Sequence, residues 1–71
     1  MTTNKNRNFV LLLRKKGFTQ IKLANALAIS PPSVNAWVIG KARPSIENVL
    51  KMSAILDVDV DELNNIFFGG E

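Results

Sequence analysis

The 71-residue chain predicts an all-α domain of five short helices. Apolar residues recur at three- and four-residue intervals along its whole length, the spacing of a helix that buries one stripe. Strand signals are sparse, and no Asn-Gly or Asp-Gly pair joins two apolar runs as a hairpin would require. Capping residues, glycines and prolines cut the periodic stretches into pieces of about ten residues, separated by turns of a few. No repeat, low-complexity tract or interdomain linker interrupts them. A chain this small buries only about 60% of the surface its unfolded form exposes, so a single core of modest stability is expected.

In the first helix Phe9, Leu12, Leu13 and Lys16 fall on one stripe, and Gly17 is placed to end it in a left-handed conformation. The run "FVLLL" follows Lys5 and Arg7 like a signal peptide, but five residues are too few for an apolar signal core or a membrane span, and it reads as core. Thr19 is the expected cap of a second helix with Leu23, Ala24 and Leu27 inward. Ser30 is expected to cap a third, with Val34, Trp37 and Val38 inward. Pro44 and Ser45 open a fourth, in which Ile46, Val49, Met52, Ser53 and Leu56 share a face and Glu47 meets the positive end of the helix dipole. Asp57 is expected to close it. In "VDVDEL", Asp59 and Glu62 have capping-box spacing and Val58 and Leu63 hydrophobic-staple spacing, so a fifth helix runs to about Phe67. The expected organisation is a basic arm over 1–7, a folded domain over 8–68 and a tail over 69–71.

The charge distribution says more than the net +3. Residues 1–46 carry eight Lys and Arg and no acid, while residues 47–71 sum to −5. A basic half is the electrostatic footprint of a polyanion, and nucleic acid is favoured over membrane because no long amphipathic cationic helix accompanies it. With no Cys there is neither a disulfide framework nor a thiolate metal site, and a reducing cytoplasm is the expected compartment. Nothing in the chain points to catalysis. There is no His, Asp59, Asp61 and Glu62 read as helix-start chemistry, and Gly69-Gly70 precedes no helix that would cradle a phosphate. No cofactor, metal or small-molecule substrate is expected.

The stretch from Gln20 to Trp37 has the spacing of a helix-turn-helix. Two helices that cross steeply through a short turn approach closely only if the residue at the crossing is small, and Ala24 is that residue. Leu23, Leu27, Val34 and Trp37 then bury the inner faces, leaving the outer face of the second helix of the pair open to a major groove. Trp37 lies on the inward stripe with Val34 and Val38 and is read as packing rather than as a ligand contact.

On "GFTQIKLANALAIS", on Trp37 with "GKARPS" from Gly40, and on "LDVDVDEL", the chain resembles the single-domain helix-turn-helix of phage Cro and CI repressors, often called XRE-type. The resemblance covers Phe9 to about Ile66. It implies a five-helix, lambda-repressor-like domain that binds double-stranded operator DNA, usually as a dimer, with the helix 31–39 in the major groove. It maps a phosphate anchor onto Gln20, the outward residues of the recognition helix onto Pro31, Pro32, Ser33, Asn35 and Ala36, and the basic loop onto Lys41 and Arg43. Lys22 joins Gln20, Ser33, Lys41 and Arg43 as an expected phosphate contact.

Three departures from the family pattern stand out. Where the family often pairs an Arg in the first helix with a Glu after the Trp, this chain has Leu13 and Val38, which are expected to pack together. Exchanging a partly buried ion pair for two hydrophobes is often neutral or stabilising by about 1–4 kcal/mol. The turn position usually given to Gly is Ala28, which implies strain on the order of 1 kcal/mol if its backbone is left-handed. Pro31 and Pro32 fit the first turn of a helix, where Ser30 would cap the Ser33 amide, but they withdraw hydrogen-bond donors from the end that usually faces base edges. They touch a thymine methyl or merely stiffen the turn. Asn35 is the residue with the shape to read adenine.

The tail "NNIFFGGE" sets Ile66, Phe67 and Phe68 in a row, more apolar side chains than one helix turns inward. They are read as a protein interface, toward a second copy or another phage repressor, with core closure the alternative for Phe67. Two functions follow: a Cro-like repressor acting at an operator in the bacterial nucleoid, or an antirepressor that binds a cognate repressor.

Overall fold

The computed structural model describes residues 6–69. Its helices are α1 (Arg7–Lys15), α2 (Gln20–Leu27), α3 (Pro31–Val38), α4 (Ile46–Leu56) and α5 (Val60–Phe68), with no strand among the described residues. The all-α, five-helix expectation holds.

Each start has a local cause. The side chains of Asn6, Thr19 and Ser45 accept the amides of Phe9, Lys22 and Asn48 at 3.2, 3.0 and 3.2 Å, each satisfying one donor that the first turn leaves without an intrahelical partner. The other two expected caps are corrected. Ser30 is extended at the cap position, but the Ser33 amide bonds the Ser30 carbonyl at 3.0 Å and the Ser30 hydroxyl lies 3.1 Å from the Ser33 hydroxyl. At α5 the Asp59 carboxylate makes no cap bond, because the Glu62 amide reaches the Asp59 carbonyl at 3.1 Å. In both, a tight first turn gives the main-chain oxygen the amide that the side chain would have taken. Asp59, Asp61 and Glu62 still place negative charge at the positive end of α5.

The first four helices end by one device. Gly17, Ala28, Gly40 and Asp57 have φ of +77°, +60°, +81° and +56°, and the amide of the next residue reaches back five positions. Those bonds run from Phe18 to Leu13 (2.8 Å), Ile29 to Ala24 (3.0 Å), Lys41 to Ala36 (2.9 Å) and Val58 to Ser53 (3.1 Å). This is the Schellman arrangement, which is commonly closed by an apolar residue packing back on the helix it ends. Phe18, Ile29 and Val58 pack on the core in this way. Lys41 is exposed.

The core joins all five helices. Phe9 is fully buried, 4.8 Å from Phe67 and 6.4 Å from Trp37 between ring centroids, so one tilted aromatic cluster ties α1, α3 and α5 together. Leu23, Ala24 and Leu27 of α2 and Val49, Met52 and Leu56 of α4 complete it with Val34 and Leu63. Leu13 and Val38 are buried in the same core and line one cleft with Phe18, as befits two hydrophobes standing where an ion pair is often found.

Ile46 departs from the expectation for α4: it is 63% exposed. Pro44, two residues before it, is buried instead. Ser53 is half-buried and donates its hydroxyl to the Val58 carbonyl at 2.6 Å. Of the expected arm, residues 1–5 lie outside the described residues, whereas Asn6 and Arg7 belong to the fold. The Asn6 amide donates to the Val38 carbonyl at 2.7 Å and its carboxamide to the Ile66 carbonyl at 3.0 Å.

Candidate nucleic-acid interface

The helix pair packs together, with Ala24 of α2 fully buried, and the turn between them consists of the left-handed Ala28, the inward Ile29 and the Ser30 cap. Because α3 commits Val34, Trp37 and Val38 to the core, its remaining positions must face out. Pro31, Pro32 and Asn35 are exposed, and Ser33 and Ala36 are half-buried at the border of that face.

The two prolines occupy the first two helical positions. They leave Ser33 as the first amide of the helix, and that amide is already bonded to Ser30. The leading end of α3 therefore presents ring methylenes and two hydroxyls that face each other, and Asn35 is the only exposed side chain of α3 that both donates and accepts.

Cations flank this face. Gln20, the first residue of α2, is half-buried in the cleft lined by Arg14, Thr19 and Val38. Lys22 follows two residues on, with its ammonium 5.2 Å from the centre of the Phe18 ring. Past the other end of α3, Lys41 is held outward by the left-handed Gly40 that ends the helix. Arg43 stacks its guanidinium 5.7 Å from the Phe68 ring. The one ion pair among the described residues is Glu47–Lys51 at 3.7 Å, a solvent-exposed pair of little energetic weight. None of the described basic groups of the first half is therefore neutralised by a carboxylate of those residues.

The interface reading of the tail divides. Phe67 is 6% exposed and belongs to the aromatic core, a correction explained by its position four residues after the buried Leu63 on the same stripe. Ile66 is half-buried, and Phe68, 44% exposed, stands edge-on to Phe67 at 6.5 Å. Ile39, Ile46 and Leu50 are further exposed apolar side chains that the tail reading did not anticipate. Arg7, which the sequence places in the arm, is instead the first residue of α1, behind the Asn6 cap.

No helix among the described residues is long and apolar enough to cross a membrane. A search of curated proteins finds no match. A family model described as helix-turn-helix, HTH_3, matches residues 11–63, from the second turn of α1 to Leu63 of α5. The match takes in the buried crossing, the open face of α3 and the basic loop, and the chain belongs to this XRE-type, Cro/CI-like helix-turn-helix family of DNA-binding transcription regulators.

Proposed function

We propose that the chain is a small phage or prophage repressor of the Cro type, which lays α3 in the major groove of an operator and occludes a promoter. The observation that carries this reading is the open face of α3 flanked by Lys22, Lys41 and Arg43, in a half-molecule without acids. Asn35 reads a base, adenine by its paired donor and acceptor, while Pro31, Pro32 and Ala36 supply apolar contact to thymine methyls. Gln20, Lys22, Ser33, Lys41 and Arg43 bind phosphates and set register. With one hydrogen-bonding reader, much of the affinity is sequence-independent, and DNA shape contributes to site choice. Ile66 and the exposed Phe68 belong to the contact with a second copy, so that two α3 helices meet a pseudo-palindromic site.

The exposed prolines favour one second reading, an antirepressor that meets another phage repressor through the apolar α3 tip and Phe68. Selection of bound sequences from a random duplex pool separates the two. A repressor enriches a symmetric site whose half-sites contain an adenine that becomes dispensable in Asn35→Ala. An antirepressor enriches nothing alone and alters the site enriched by its partner.

A further inference from the structure

Behind the exit of α3 lies a second basic feature, formed by parts of the chain far apart in sequence. A surface cleft between the start of α1, the α3–α4 loop and the end of α5 has Arg7, Arg43, Asn6, Asn8, Asn65 and Trp37 in its lining, and no carboxylate is among its lining residues. Both arginines are placed by specific contacts. Asn6 caps α1 and bonds the Val38 and Ile66 carbonyls, which fixes the backbone of Arg7 beside α3 and α5. Arg43 lies over the Phe68 ring, which in turn rests on the core residue Phe67. Two cations lining one cleft without an acid repel each other, and an anion between them turns that repulsion into attraction. Guanidinium forks with carboxamide donors beside them match the oxygens of a phosphodiester.

We infer that the Arg7–Arg43 cleft is a DNA-backbone phosphate site, with Phe68 as the residue that positions Arg43. The inference rests on the DNA-binding reading and extends it, because the loop that carries Arg43 leaves α3 directly and a duplex lying along α3 continues past that exit. Arg7 thereby joins the contact surface, and the last turn of α5 is tied to it through Phe68.

The test measures binding of a mixed-sequence duplex across a salt series, since phosphate contacts are independent of sequence. The variants are Arg7→Gln, Arg43→Gln, Phe68→Leu and the Phe68→Leu/Arg43→Gln pair. Lys15→Gln is the matched charge loss at the far end of α1, about 12 Å along the helix from Arg7 at 1.5 Å per residue. Each arginine variant is expected to bind more weakly and to flatten the log–log salt slope by about 0.9, the increment for one phosphate on B-DNA, with Lys15→Gln leaving the slope unchanged. Phe68→Leu flattens the slope in the same direction and adds nothing once Arg43 is Gln. Melting curves verify that every variant is folded, and because Phe68 also belongs to the proposed contact with a second copy, sedimentation of Phe68→Leu separates a loss of mass from a loss of positioning.

A parental slope in Arg7→Gln, or an equal loss in Lys15→Gln, overturns the site. A parental slope in Phe68→Leu, or a loss of mass that accounts for its weaker binding, overturns the positioning role. If the parent selects a defined site that Asn35→Ala abolishes while Arg7→Gln binds the mixed duplex as the parent does, the cleft fails and the repressor reading survives. If the parent binds no duplex, both fail.

Discussion

Ala28 holds the turn between the two central helices at φ +60°, ψ +40°, a region where an L-residue with a β-carbon is strained by about 1–2 kcal/mol. The strain is offset by what the turn secures: the Ile29 amide closes α2 and the Ile29 side chain packs on the core. Ala28→Gly is expected to raise stability by about 0.5–1 kcal/mol, the backbone relief exceeding the extra freedom glycine gains in the unfolded chain. Urea unfolding measures it, and an unchanged or lowered midpoint contradicts the strain. This position was legible in advance through the family resemblance, which usually places Gly at this turn. The fate of Phe67 was half legible: three apolar residues in a row offer a helix a choice, its place four residues after Leu63 points the middle one inward, and the rings of Phe9 and Trp37 across the core receive it. For Arg7, Asn6 ahead of an apolar run signals a helix start, but the two long-range bonds that hold Asn6 against α3 and α5 have no sequence signal.

Among the elements, starts and stops were legible where a single residue type has one job. Thr19, Ser45, Gly17 and Asp57 mark their boundaries because each satisfies or releases a specific main-chain group. The caps of α3 and α5 were not, since the choice between a hydroxyl or carboxylate and the neighbouring carbonyl depends on how tightly the first turn winds. That difference has a measurable consequence. Thr19→Ala should cost about 1 kcal/mol, because the Lys22 amide loses its acceptor, whereas Ser30→Ala should fall within about 0.5 kcal/mol of the parent, because the Ser33 amide keeps the Ser30 carbonyl. Equal losses in thermal melts would mean that the Ser30 hydroxyl caps α3 after all. The helix termini also show how one device serves two purposes. Three Schellman endings turn an apolar residue inward, and the fourth, at the exit of α3, turns Lys41 outward, so the same backbone geometry that seals the core elsewhere delivers a cation to the rim of the candidate interface.

For the whole molecule, the division of charge along the chain is not a clean division in space: Lys15 and Lys16 share a cleft with Asp57, Asp59 and Glu62. Among the described residues, fourteen buried hydrophobic side chains form one core from all five helices, and that core leaves α3 with a single open face. The candidate site was readable from sequence to the extent that it is the complement of the core: once Val34, Trp37 and Val38 are inward, Pro31, Pro32 and Asn35 must be outward. What sequence left undetermined is contributed by contacts between distant segments, namely the Arg43–Phe68 stack and the anchoring of Arg7. Association with DNA should be driven largely by phosphate neutralisation, with the prolines limiting how much of the recognition energy can come from hydrogen bonds to bases. The most direct measurement is a residue-by-residue map of amide chemical shifts as duplex DNA is added to the isotopically labelled chain. The largest changes are predicted at Gln20, Lys22, Ser33, Asn35, Ala36, Lys41 and Arg43, with Leu50 and Ala54 on the outer side of α4 unmoved; changes confined to α4 or α5, with α3 silent, would contradict the account.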